Sequence, residues 1–282
     1  MAARRANAAT AKEEDLRKIS VQNLKGGTGK STTVVNLGAA LASKGKKVLL
    51  IDTDSQAHVG MHLGVKHSVT LFDLMTIDLS IEEAIVQARE NLDCIISDKK
   101  VAVLESMLVQ MPRREEILRL RARRLKNLKY DYVLVDCSPS ISLMHQNALL
   151  FADYLLIPVS MDVLSLAGAS SIMDSSRMLL QMYEMPLQIL GVLPTIYDGR
   201  LNMSKEVVSI LETNYTKLTS ILTPIRTDVK LKEAAAAHQT IFEYDPKSRG
   251  AEDYMKLADE IMELETSLDR QKQKPAEAKI TA

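Results

Sequence analysis

The stretch Lys25-Gly26-Gly27-Thr28-Gly29-Lys30-Ser31-Thr32 constrains this chain more than any other. Before it lies an apolar run of strand type, Ile19-Ser20-Val21. After it, Val34, Leu37 and Leu41 recur at helical spacing, and Gly45 supplies a stop. Strand, glycine loop and helix is the context a phosphate cradle needs. Glycines let backbone N–H groups converge on phosphate oxygens. The helix N-terminus adds unpaired donors and a partial positive charge. Lys30 would reach the β- and γ-phosphates, and the Ser31 hydroxyl would ligate Mg²⁺. Gly26, Gly27, Thr28, Gly29 and Thr32 complete the expected nucleotide cradle.

The ordinary form of such a loop asks for glycine five positions before Gly29, where Leu24 stands. A second lysine, Lys25, precedes the glycines instead. It is too far round the loop to serve its own γ-phosphate as Lys30 does. It could reach a phosphate bound by a second copy of the chain. The segment resembles the deviant Walker A motif of the ParA/Soj/MinD group of P-loop ATPases. That resemblance implies ATP-dependent sandwich dimers in which Lys25 crosses to the partner's nucleotide.

Lys47-Val48-Leu49-Leu50-Ile51 is a continuous apolar strand, as in a buried parallel sheet, and it runs into Asp52-Thr53-Asp54-Ser55-Gln56-Ala57-His58. Carboxylates at the carboxyl end of a strand stand where ligands bind in open α/β sheets. The segment resembles the family's switch I, usually Asp-x-Asp-Pro-Gln-Gly-Asn. It departs at Ser55, Ala57 and His58 and keeps both acids. The match implies Asp52 near Mg²⁺ and Asp54 orienting the attacking water. A second apolar strand, Asp131 to Val135, ends in Asp136 and looks like Walker B, with Asp136 holding Mg²⁺ through water. Cys137 beside it reads as a small core residue. Tyr154–Val159 and Leu187–Leu193 read as further buried strands with helices between and after. The expected fold is α/β, a doubly wound, mostly parallel sheet flanked by helices on both faces.

Other segments carry less. Leu71–Met75 and Ile81–Ile85 read as short helices and Leu92–Ile96 as a strand. Arg113 to Lys129 reads as a basic amphipathic helix, its cations either a solvated face or a surface for DNA or a partner. Residues 1–18 are expected to be a flexible extension, 19–265 the ATPase domain, and 266–282 a polar tail. No apolar run is long enough to span a bilayer, and the N-terminus lacks a secretory signal. Two cysteines make no disulfide framework and suit a reducing cytoplasm.

The C-terminal third resembles the ParA/Soj branch through Ile225–Ala234 and Tyr244–Ala251. The stretch from Pro224 to Asp228 matches a part that lines the adenine in relatives. The chain carries 36 basic and 36 acidic residues, so attraction to nucleic acid must come from a local patch. Lys205, Lys217, Arg226, Lys230, Lys232, Lys247 and Arg249 are the candidate DNA contacts. The resemblance implies an ATP-dependent, Mg²⁺-dependent homodimer. It would bind non-specific double-stranded DNA, associate with the nucleoid and answer to a ParB-like or cargo-linked stimulating protein. It would position a chromosome, plasmid or protein cluster. A MinD-type membrane switch and a metabolic or metallochaperone member of the superfamily are the competing readings. Residues 267–282 are nearly all polar and offer no amphipathic membrane anchor.

Overall fold

The computed structural model describes residues 16–184 and 187–272. Among them, seven strands form one sheet: β1 (Arg17–Val21), β2 (Val48–Asp52), β3 (Val86–Arg89), β4 (Leu92–Ile95), β5 (Tyr132–Asp136), β6 (Tyr154–Ser160) and β7 (Gln188–Thr195). Their order across the sheet is β3-β4-β2-β5-β1-β6-β7. Every pairing is parallel except that of β3 with β4.

The helices are α1 (Lys30–Ser43), α2 (His58–Leu63), α3 (Leu71–Thr76), α4 (Ile81–Ala84), α5 (Val101–Leu108), α6 (Ile117–Arg121), α7 (Leu143–Phe151), α8 (Val163–Tyr183), α9 (Asn202–Tyr215), α10 (Val229–Ala236), α11 (Ile241–Tyr244) and α12 (Arg249–Lys272). Every residue of β2 and β5 is buried, as central strands covered on both faces must be. The period of two divides their side chains. Val48, Leu50 and Leu134 pack with Val34, Leu37 and Leu41 of α1 and with Tyr254, Leu257 and Ile261 of α12. Leu49, Ile51, Val133 and Val135 pack with α3, α5 and α7 on the other face. A third cluster joins Leu155, Ile157 and Val159 of β6 to α8 and α9. Close contact of α1 with the sheet depends on Gly38. A Cβ there would meet Leu50 Cδ2 at 2.7 Å.

Three expectations are corrected. Residues 113–129 are not one helix. They form a 3₁₀ turn (Arg114–Glu116), α6, and a second 3₁₀ turn (Ala122–Asn127). Arg113 and Lys129 bound the segment in left-handed backbone, which no continuous helix tolerates. The chain between α4 and β4 adds β3, an antiparallel edge strand the apolar pattern did not reveal. Finally, α12 continues to Lys272, into the stretch expected to be tail. Most of the expected N-terminal extension lies outside the described residues, but Arg17 and Lys18 already belong to β1.

Candidate nucleotide site

The site is built by strand register. Val21 stands opposite Asp136 on one side of β5, and Asp52 stands opposite Asp136 on the other. All three strands therefore end together, and the Lys25–Thr32 loop rises directly from this edge. Gly27 (φ 76°) and Gly29 (φ 82°) adopt left-handed backbone, and Gly29 caps the N-terminus of α1. A side chain at either position would be strained. Thr195 Oγ1 donates to the Thr28 carbonyl (2.8 Å) and braces the loop from β7.

Lys30 is 7% exposed and donates from Nζ to the Lys25 carbonyl at 2.9 Å. Burial lowers its pKa, opposed by the negative field of Asp136 and Asp54. Asp52 is fully buried. Its Oδ1 accepts from the Asp54 N–H and its Oδ2 from the Val59 N–H, each at 3.0 Å. Burial first, then the neighbouring Asp136, raises its pKa well above the usual carboxylate range. Asp136 is also fully buried, and both its oxygens lack a hydrogen bond of normal geometry. Burial pushes its carboxyl up to about 7, partly offset by the adjacent Ser31 hydroxyl and Lys30. A buried carboxylate whose counter-charge only partly offsets its burial is costly. Oxygen donors from Asp136, Asp52 and Ser31 are the hard set that a small divalent cation takes. The residues present thus fit Mg²⁺.

In front of these acids lies a cavity of about 810 Å³. Gly26, Gly27, Gly29, Lys30, Ser31, Thr32 and Asp54 line it, all expected there; Asp52 and Asp136 sit buried behind it. Its far wall comes from Met61 and His62 of α2, Ala235 and Ala236 of α10, and His238. Sequence reasoning missed this wall. Its one local signal was that α2 follows the Asp52–His58 segment directly. Ala57 and His238 hold left-handed backbone (φ 53° and 57°), at a cost of about 1–2 kcal/mol each.

Lys25 is not among the cavity-lining residues. Its Nζ is paired with Asp162 Oδ1 at 2.6 Å. Asp162 is held in turn by the Ser160 hydroxyl (2.8 Å) and the Ser165 N–H (3.0 Å). Burial alone would raise the Asp162 pKa; the bonds from Lys25, Ser160 and Ser165 outweigh it and lower it. Nothing in the local motif pointed to Asp162.

Pro224 and Asp228 do not line the cavity either. Asp228 caps α10, accepting from Lys230 N–H, and ties it to α12 through Gly250 N–H. The basic residues expected at DNA fall into two kinds. Lys205, Lys217, Lys232, Lys247 and Arg249 are exposed. Arg226 is bound by Asp253 and Glu252, and Lys230 by Glu233.

A family described as an AAA domain matches residues 16–189. The chain is 37% identical over 247 residues to the sporulation initiation inhibitor protein Soj of Bacillus subtilis, covering 86% of this chain and 97% of Soj. It is 33% identical over 262 residues to the chromosome partitioning protein ParA of Caulobacter vibrioides, covering 91% and 97%. Among solved structures, cobyrinic acid a,c-diamide synthase of Mycobacterium smegmatis, with bound ADP and magnesium, superposes with a TM-score of 0.76. That match is at 28% identity and covers 95% of this chain and all of the other. With the loop, the buried acids and the sheet order already in place, ATP and Mg²⁺ are the ligands of the site. The chain belongs to the ParA/Soj family of partition and positioning ATPases, within the MinD/ParA superfamily of P-loop NTPases.

Proposed function

We propose that the chain is an ATP-hydrolysing, dimerising switch that binds DNA without sequence preference in its ATP state and thereby positions or segregates a cargo. The observation that carries this reading is the different placement of the two loop lysines. Lys30 is buried against the cavity, whereas Lys25 is held outside it by Asp162. A lysine so placed does not serve its own phosphates, and release from Asp162 would free it for those of a second copy.

Phosphoryl transfer to water is mostly positioning and electrostatics. Lys30 and the loop N–H groups neutralise phosphate charge, and Mg²⁺, held by Ser31, Asp52 and Asp136, supplies further positive charge when bound. Asp54 holds the attacking water. Its carboxylate already accepts from Gln56 N–H at 3.0 Å, which fixes its orientation. Lys25 from the partner adds charge in the dimer, so dimerisation gates turnover. A ParB-like or cargo-linked protein sets the rate, and the DNA-bound state accounts for association with the nucleoid.

The test compares two variants. Lys30→Ala is expected to lose nucleotide affinity by about 30-fold or more, since truncating one side of a buried charge contact costs about 2–5 kcal/mol. Lys25→Ala is expected to bind ATP as a monomer yet neither dimerise nor hydrolyse it. Nucleotide titration, light scattering and phosphate release separate these outcomes. Normal ATP-dependent dimerisation of Lys25→Ala would sink the proposal.

A further inference from the structure

The chain is neutral, but its charge is unevenly placed. Residues 113–129 hold eight basic side chains and two acidic ones. Residues 205–249, which span the basic cluster expected at DNA, hold seven basic and six acidic. In that second region Arg226 and Lys230 are already taken by carboxylates. In the first, Arg113, Arg114, Arg119 and Arg121 pair with Glu116, Glu115, Glu116 and Asp78. No carboxylate among the described residues pairs with Arg123, Arg124 or Lys129, and all three are exposed.

The local fold displays these cations. Ile117, Leu118, Ala122 and Leu125 turn into the core, so the intervening basic side chains are left on the outside. Two concavities flank the segment. One, of about 240 Å³, is lined by Asp78, Ser80, Arg121, Arg123 and Arg124 among others, with Asp78 taken up by Arg121. The other, of about 380 Å³, is lined by Lys18, Arg119, Arg123, Lys126 and Asp153 among others, with Asp153 taken up by Lys18. Arg123 lines both, as does Leu120.

We infer that this face binds the phosphate backbone of a nucleic-acid duplex, without reading sequence and without requiring bound ATP. The inference rests on the DNA-binding part of the function proposed above and gives it a second, nucleotide-independent surface. Guanidinium groups suit phosphate, and six of the eight cations are arginine. No aromatic side chain occurs in residues 113–129 to stack single-stranded bases. The inward turn of its large apolar residues leaves few of the anchors that protein partners use. The segment leads into the first residue of β5, whereas Asp136 is its last. Four residue steps, about 13 Å at roughly 3.3 Å each, separate the two ends of the five-residue strand. That exceeds the roughly 8 Å screening length at physiological salt, so phosphate in the nucleotide site does not set the field at the basic face.

The test uses the full chain with Arg123→Ala, Arg124→Ala and Lys129→Ala combined, and random-sequence duplex DNA across a salt series, with ADP and with ATP. Unchanged ATP titration of the variant confirms an intact fold. The slope of log K against log salt is expected to shrink in magnitude by about 2–3 in both nucleotide states, since each neutralised phosphate contributes about 0.9. Affinity at low salt should fall tenfold or more. An unchanged slope overturns the inference, as does a loss seen with ATP alone. Tighter binding of poly-glutamate than of duplex at equal salt, lost in the variant, would assign the face to an acidic protein and overturn it too. Failure of the switch reading shows separately, as absent ATP-dependent dimerisation of the unmodified chain.

Discussion

The two ends of the central sheet both carry charge, under opposite physical conditions. At the carboxyl end, Asp52 and Asp136 are wholly buried, and Asp136 has no hydrogen-bond partner of normal geometry. At the amino end, Arg123, Arg124 and Lys129 stand in solvent. Buried like charges cost folding free energy, so their persistence points to a ligand that relieves them. Exposed cations cost almost nothing. Their presence announces itself only through number and lack of partners. A binding site can therefore be recognised by strain at one end and only by charge imbalance at the other.

The sharpest way to break this contrast is Asp136→Asn. Removing a buried charge that Lys30 and Ser31 only partly offset is expected to stabilise the metal-free chain by on the order of 1–3 kcal/mol while weakening Mg²⁺-dependent nucleotide binding. Urea unfolding in EDTA reads the first effect and nucleotide titration with Mg²⁺ the second. A variant less stable than the parent would show that the carboxylate is satisfied by something else.

A second prediction concerns pH. His62 and His145 are buried, and burial lowers their pKa to about 4. Below the unfolded value of about 6.5 the unfolded chain binds more protons at these rings, so acidification from there toward 4 destabilises the fold. Asp136 has the opposite sign. Its raised pKa contributes stability at low pH that is lost as pH climbs toward 7. In EDTA the two effects oppose each other. Asp136→Asn should therefore lose stability more steeply than the parent between pH 6.5 and 4. Parallel pH profiles of urea midpoints for the two proteins would refute this.

The smallest expected effect lies at the other end of the sheet. Arg123→Ala with Arg124→Ala should change stability by no more than about 0.5 kcal/mol, since neither residue supports the fold. A larger loss of midpoint would mean these arginines are structural and that the contrast between the ends is weaker than their exposure suggests.

Much of the carboxyl end was legible because its signals are local. The loop glycines, the helix-spaced apolar residues and the strands ending in Asp52 and Asp136 are each contained within a dozen consecutive residues. What escaped depends on contacts between distant segments. Lys25 meets Asp162 across the packing of the loop on α8, and Arg226 meets Asp253 through the packing of α12. Neither pair leaves a trace in the sequence near one partner alone. The 113–129 segment misled for a different reason. Apolar spacing close to 3.6 also suits a chain of short 3₁₀ and α turns, and left-handed residues such as Arg113 have no reliable mark in the sequence. β3 is only half-buried and carries no apolar run to betray it.

The edges of the sheet bear on how copies of this chain can assemble. At one margin, β3 is four residues long, antiparallel, and interrupted by a shift of register between Gln87 and Arg89. At the other, β7 is flanked by isolated bridges from Ile221 and Arg226. Short, irregular or covered edges are poor templates for a further strand. Lateral growth into a continuous ribbon of sheets is thus blocked at both margins. Any filament or higher-order array built from this protein must be joined through helices and loops, where contacts can be made and released one at a time.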